Sequence, residues 1–511
     1  MVREATDTVG SNTSATRREQ AVAIVRRLQG AGHQAVFAGG CVRDDLLGVE
    51  PVDYDIATSA LPEQVEALFE HTIPVGKQFG ILLVPGSPPE LPEAGGGSGA
   101  ESASVSEGTA ASGLPKPHYF EVATFRRDDI YLDGRRPVTV HFADIRSDAE
   151  RRDFTINAMF EDPVSGEILD YVGGRDDLSA GILRAVGDPV RRFAEDRLRL
   201  LRGVRFSARF GFPIEEATLA AMVESAGEIK VVSAERIGEE LVRMLTEGHA
   251  RRSFEMLDQT GLLEHVLPEI SAMKGCEQSP DSHPEGDVFV HTMICIGHLQ
   301  DRCSESLALG VLLHDVSKPT CAATTEDGRR TFYGHTRDGA RVAEEIVRRL
   351  RRSNTTVERV GFLVDQHLRH CAAAGMRKST LKRFLRQDGI EELMELARID
   401  ALSSNGDLGH YDFCTAALAE LSTEQMKPAP LLSGRDLMTL GLTPGPSFKT
   451  ILAALEDAQL EGTLTSRDAA LDFVRAHFLT YEPRAGERRD TTPGPDAIPR
   501  QPSERRTTTP D

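Results

Sequence analysis

Residues 39–59 read GGCVRDDLLGVEPVDYDIATS, and this stretch decides how the rest of the chain is understood. It follows a short apolar run, AVFA, so the spacing predicts a strand AVFAGG that ends in the glycine pair Gly39 and Gly40. Beyond it, Asp53 and Asp55 are one residue apart. On a strand such residues point to one face, and two carboxylates held side by side repel unless a divalent cation lies between them. A hard cation such as Mg2+ takes a few carboxylates together with phosphate oxygens, so the pair suits one side of a phosphoryl- or nucleotidyl-transfer site. Glu121, on a later strand, is the candidate third carboxylate. Gly39 and Gly40 let backbone amides approach a triphosphate, and Arg43 adds a fixed positive charge.

Around this centre the chain is long enough for several packed units. It has 511 residues, 40% of them hydrophobic, and a formal net charge of −20; single cores stop growing at about 250–300 residues. The polar start and the lack of a long uncharged apolar run predict a cytoplasmic protein with no membrane partner. The seven cysteines are scattered without a C-x-x-C pair, which predicts reduced thiols rather than a disulfide framework. The acidic balance argues against a protein that coats nucleic acid and leaves room for a basic groove. RLRLLRGVRFSAR (197–209) supplies one: Arg199, Arg202, Arg205 and Arg209 fall at helical steps of three and four. Their acidic complement is expected in the helices around 254–270 and 390–400.

Periodicity predicts a helix over 17–30, a helix in SALPEQVEALFE, strands in FGILLVPG and from His118 to Phe125, and an almost wholly helical chain after about residue 190. The fold class is therefore α+β: a small mixed head on a mostly α-helical body. The expected organisation is a disordered N-terminus (1–16), a head (17–165) with a disordered insertion (87–117), a helical neck (166–272), a helical domain (273–405), a helical C-terminal region (406–480) and a disordered tail (481–511).

The ordered motifs GGCVRD, the D-x-D pair, RRDFTINAM (151–159), EDRLRLLRGVRFSARFGF (195–212) and SAERIGEELVRML (233–245) resemble those of the class II tRNA nucleotidyltransferases: the CCA-adding enzymes, the bacterial poly(A) polymerases, and the CC-adding and A-adding enzymes. The resemblance implies a polymerase-beta-like head, Mg2+ on Asp53 and Asp55, and CTP, ATP and the 3′ end of tRNA as partners. It implies that Arg152, Asp153 and Asn157 help hold ribose and triphosphate, and that Asp170 begins a hinge-like turn. Glu195, Asp196 and Arg199 are implied to form a protein template for the base; an acid and a guanidinium can complement the edges of cytosine or adenine. Within this series Arg202 and Arg205 become RNA or phosphate contacts, while Arg209 remains open to a structural role.

RRDDIYLDGRRPVTVHFADIRSDAE (126–150) matches the flexible loop of members that complete CCA, which disfavours a CC-adding enzyme. The basic, aromatic signature of the poly(A) polymerases is not found. An A-adding enzyme stays open as the alternative. A second series, His291, His314, Asp315, His335, His367 and Asp400, resembles the HD superfamily of metal-dependent phosphohydrolases and implies a site for a second divalent ion, Mn2+, Ni2+, Mg2+ or Fe2+. Hydrolysis there, or a scaffold that has kept only the fold, are both compatible with the residues. The sequence says nothing of the oligomeric state.

Overall fold

The computed structural model describes residues 11–76, 79–86, 118–128, 140–280, 283–421 and 427–479. The expected insertion (87–117) and tail (481–511) lie outside them. The first helix, Ser11–Gly30, starts six residues before the expected position 17, because each added helical residue gains a hydrogen bond once a nucleus exists.

The head is built on β1 (Ala35–Ala38), β2 (Ile56–Thr58), β3 (Ile73–Gly76), β4 (Ile81–Pro85), β5 (Tyr119–Thr124), β8 (Phe160–Asp162) and β9 (Glu167–Leu169). They form a seven-stranded sheet in the order β3-β4-β5-β2-β1-β8-β9. All four residues of β1 are buried, as suits a central strand covered on both faces. The β2–β5 pair is parallel, with Ile56 opposite Val122, while β1 runs antiparallel to both β2 and β8. Val36, Ala57, Phe125, Ile145 and Phe160 form a core on one face. Burying side chains of this size contributes about 1.5–3 kcal/mol each for the larger ones.

Two expectations are corrected here. The strand expected to run through Gly40 stops at Ala38: Gly39 has a φ of 73°, and a helix, Gly40–Leu46, begins at once. Asp53 and Asp55 lie just before β2 rather than inside a strand. The segment matched to a flexible loop is ordered at both ends. There β6 (Arg126–Asp128) pairs with β7 (Val140–Phe142), and a helix, Ile145–Glu150, follows, with Asp144 accepting from the amide of Ser147; residues 129–139 lie outside the described set.

After the head the chain is helical, as expected. Leu198–Phe210, buried along most of its surface, and Ala234–Thr246, buried on one face, carry the neck. Val288–Gly297, Glu305–Leu313, His335–Arg349, Asn354–Gln366 and Ile390–Ser403 follow. The turn at Asp170 is a cap: its carboxylate accepts from the amides of Val172, Gly173 and Arg175 and starts the helix Gly174–Ala180.

The chain divides into two compact units, Met1–Ala374 with Asp388–Ala417, and Gly375–Gln387 with Leu418–Asp511. The first contains head, neck and most of the helical domain. The second differs from the boundary expected at 406, because Lys378–Leu385 belongs with the C-terminal helices: Arg383 and Arg386 both pair with Glu456, at 2.8 and 2.6 Å. Its core is Leu432, Leu437, Ile451, Leu455 and Val474. No helix among the described residues is long and apolar enough to cross a membrane.

Candidate active site

A cavity of about 690 Å³ opens between the head sheet and the neck helices, and it collects almost every residue singled out in the first motif series. On the sheet side stand Asp53, Asp55 and Glu121. Because Ile56 faces Val122 in parallel register, Asp55 and Glu121, each one residue earlier, leave the same side of the sheet. Crowding by protein raises the carboxyl of Asp55, and the charge of Asp53 adds to this, against the pull of Arg152. Glu121 is raised likewise, first by burial and then by Asp55. The three carboxylates lining one cavity fit a divalent cation, which would relieve the desolvation and repulsion at Asp55 and Glu121.

Gly39 and Arg152 explain each other. A Cβ on Gly39 would lie 2.7 Å from Arg152 Nη1, so the glycine is required both by its positive φ and by the guanidinium against it. Arg152 is aimed by Asp148, which takes its Nε at 3.1 Å and Nη2 at 3.0 Å, and it donates to the Asn157 carbonyl at 3.1 Å. Arg43 is buried: its guanidinium donates to Asn157 Oδ1 and to Asp44, and lies 4.5 Å from the Phe210 ring centre. Asn157 in turn donates to Asp153 at 3.2 Å. Asp153 is paired with Arg202 at 2.6 Å; although burial opposes its charge, that guanidinium brings its carboxyl down to about 2.

The neck supplies the opposite wall. Asp196 and Arg199 line the cavity. Glu195 is not among the lining residues; it stands behind them, holding Arg199 at 2.6 Å and Arg192 at 2.7 Å. Arg199 also donates to the carbonyls of Arg192 and Arg151, at 2.9 and 2.8 Å. Asp196 receives Arg236 at 2.9 and 3.3 Å.

The arginine stripe does face the cavity, but its acidic partners are not where they were expected. They come from residues close by: Asp153 for Arg202, Glu240 at 2.7 Å for Arg205, and Asp44 at 3.6 Å for Arg209. Arg205 and Glu240 are each only about 5% exposed. Arg126, Arg236 and Arg243 also line the cavity and were not singled out from the sequence; Arg236 sits within SAERIGEELVRML, yet nothing in helical periodicity distinguishes it from a solvated arginine.

Residues 35–92 and 100–184 match the family described as "Poly A polymerase head domain", and residues 211–274 match "Probable RNA and SrmB- binding site of polymerase A". The chain is similar to that family over these three segments, in the head and in the neck that follows it. Among curated relatives, the CCA-adding enzyme of Streptococcus gordonii is 37% identical over 257 residues, 50% of this chain and 57% of the relative. That of Enterococcus faecalis is 40% identical over 228 residues, 44% of this chain and 49% of the relative. The chain thus spans about half the length of the curated relatives it matches. Among solved structures, the Bacillus stearothermophilus CCA-adding enzyme in complex with CTP superposes with a TM-score of 0.62 at 24% identity, over 90% of this chain and 98% of that one. The Thermotoga maritima CCA-adding enzyme complexed with tRNA gives 0.54 at 19% identity, over 91% and 98%. At these identities the two structures establish a shared fold.

The chain carries its second series of residues in the helical body, and the structure brings all six together. His314 Nε2 lies 3.2 Å from Asp315 Oδ2, His335 and His367 approach Asp315 Oδ1 at 3.5 and 3.8 Å, and His291 Nε2 is 3.1 Å from Asp400. The Nδ1 atoms of His314, His335 and His367 sit on the carbonyls of Val311, Phe332 and Val364 at 2.7–2.8 Å, and that of His291 on Glu285 at 2.7 Å. Each ring thus presents Nε2 inward, the orientation of metal-binding histidines. Burial holds His367 down to about 3, so it stays neutral. Both oxygens of the buried Asp315 lack a hydrogen bond, although the Lys318 ammonium is 2.7 Å away. Such donors fit a divalent ion. His283, Glu285 and Lys318, missed in the sequence, join the cluster because the chain between the helices folds back over it.

Proposed function

We propose that this protein is a template-independent nucleotidyltransferase that builds or repairs the 3′-terminal CCA of tRNA from CTP and ATP in the cytoplasm. The observation that carries the reading is one cavity lined both by Asp53, Asp55 and Glu121 and by Asp196 and Arg199: a mere RNA grip needs neither paired carboxylates nor an acid and a guanidinium on the facing wall. The names of the relatives, CCA-adding enzymes throughout, support it.

Asp53, Asp55 and Glu121 would hold Mg2+, which when bound neutralises the triphosphate and favours attack of the terminal ribose hydroxyl on the α-phosphate. The chain's own groups do the rest. Arg152, held by Asp148, faces the phosphates with a guanidinium whose position does not depend on them. Asp153 and Asn157, locked by Arg202 and Arg43, shape the ribose wall. Asp196 and Arg199 offer an acceptor and a donor to the base edge, and a base with mismatched edges leaves these groups unpaired. Glu195 positions Arg199 from behind. The test incubates the protein and Mg2+ with tRNA transcripts ending before CCA, after the two cytidines, and complete, each with labelled CTP or ATP. CCA completion lost in Asp53→Ala supports the reading; acceptance of AMP by the CC-ended tRNA alone identifies an A-adding enzyme.

A second activity is favoured by the histidines that turn Nε2 toward the buried Asp315. The cluster would hold a divalent ion, with Mn2+, Ni2+, Mg2+ and Fe2+ as candidates, and hydrolyse a phosphate ester admitted through a cavity of about 480 Å³ lined by Asp315, His335, His367 and Asp400. Ion-dependent loss of a cyclic phosphate, abolished in His314→Ala and retained in Asp53→Ala, tests it.

A further inference from the structure

The last turns of the neck helix Leu198–Phe210 carry two stacked phenyl rings, Phe206 and Phe210, with centroids 6.1 Å apart and planes at 17°. Guanidiniums gather over them. Arg43, from the head, lies 4.5 Å from the Phe210 centroid and 5.6 Å from that of Phe206. Arg202 and Arg205 lie 5.1 and 4.6 Å from the Phe206 centroid, and Arg209 lies 5.2 Å from that of Phe210. All fall within the roughly 6 Å at which a cation is drawn to a ring face. The four arginines and Phe206 line the cavity.

The carboxylates beside these rings leave part of the charge uncancelled. Glu240 takes Arg205 and Asp153 takes Arg202, but Asp44 serves both Arg43, at 2.7 Å, and Arg209, at 3.6 Å. Burial lowers the Arg43 guanidinium, Asp44 opposes that, and the charge of Arg209 adds to the lowering. Two cations thus share one carboxylate, and an anion from outside relieves their repulsion. A further carboxylate would hold these guanidiniums equally well and neutralise them. A ring face attracts a cation through its quadrupole and carries no net charge, so it fixes the guanidinium and leaves its charge for a phosphate.

We propose that Phe206 and Phe210 are positioning residues, whose ring faces hold Arg43, Arg202 and Arg209 in place for phosphate groups without neutralising them. The inference rests on the reading of this cavity as a nucleotidyl-transfer site and deepens it, because the arginine that follows the glycine pair of the head is then held by the neck. Two sources offer such groups, the triphosphate tail of the nucleotide and the backbone near the RNA 3′ end. Both present their oxygens to a guanidinium in the same way.

The test titrates the full chain in a chelating buffer, so that binding reports the guanidiniums rather than a metal, with pyrophosphate in one arm and a tRNA transcript lacking CCA in the other. Phe210, half-buried at the end of its helix, is changed to Leu, which stays apolar and loses the ring face, and to Tyr, which keeps the ring. The expected result is that Phe210→Leu binds pyrophosphate about three- to tenfold more weakly and raises the KM for CTP by a similar factor at unchanged kcat. Phe210→Tyr should match the parent, and the Tm should move little in either variant. Phe206→Leu repeats the measurement at the ring that Arg202 shares with Arg43. Weakening confined to the tRNA arm assigns the phosphates to the RNA backbone. Leu variants that bind both probes as the parent does, or Leu and Tyr variants that lose alike, overturn the proposal and leave the nucleotidyl-transfer reading standing. An unaltered chain that binds neither probe and adds no nucleotide to the transcript overturns both.

Discussion

Asp55 and Glu121 stand side by side across the parallel β2–β5 pair, each one residue before the facing partners Ile56 and Val122. Their carboxyls are both raised, by crowding and then by neighbouring negative charge. A raised acid keeps its proton to higher pH in the folded state than in the unfolded one. Folding stability of the metal-free chain therefore falls as pH rises from about 4, the ordinary carboxylate range, through the raised values. Asp55→Asn removes part of that loss: its Tm should exceed the parent's near pH 7, with the difference shrinking toward pH 4. Mg2+ should raise the parent's Tm and leave the variant's nearly unchanged. Calorimetry with and without the ion checks both.

Asp153 behaves in the opposite sense. Its carboxyl is brought down to about 2 by Arg202, so the pair contributes stability that is complete above about pH 4 and is lost as pH falls toward 2; a shift of this size corresponds to on the order of 2 kcal/mol. Asp153→Asn should lower stability by that amount at pH 7 and by little at pH 2, read from urea midpoints.

Arg205 and Glu240 form a buried pair at 2.7 Å. Arg205→Ala leaves a buried carboxylate alone and should cost about 3–5 kcal/mol, while Arg205→Met combined with Glu240→Leu should recover most of it. If Arg205 served chiefly as an RNA contact, the double variant would fold well and bind tRNA poorly. Denaturant unfolding and a tRNA filter-binding titration separate the two outcomes.

Gly39→Ala places a methyl group 2.7 Å from Arg152 Nη1 on backbone with a φ of 73°. The clash is relieved by moving Arg152, while the backbone strain of about 1–3 kcal/mol stays, so the expected result is a raised KM for CTP and ATP together with a lowered Tm.

Arg236 holds Asp196 at 2.9 Å. Arg236→Ala frees that carboxylate from its place on the base-facing wall, and the variant should discriminate against UTP and GTP by about tenfold less than the parent, with Arg236→Lys intermediate. Single-nucleotide incorporation with each of the nucleoside triphosphates reads this directly.

By itself the sequence determined the α+β order of elements, the paired aspartates beside two glycines, the neck motif and the six histidine and aspartate positions, because each is carried by local spacing or by motif order along the chain. The tertiary structure decided what spacing does not encode. Asp55 meets Glu121 only through strand register. Glu195 stands behind Arg199 rather than facing the cavity, and the stripe of arginines takes its partners from Asp44, Asp153 and Glu240, since an ion pair between distant residues is set by how helices pack on the sheet. Cys295 is placed the same way: as a sequence letter it is one more buried thiol, and only the tertiary fold brings its sulfur within 4.8 Å of donor atoms of His291, His314 and Asp400.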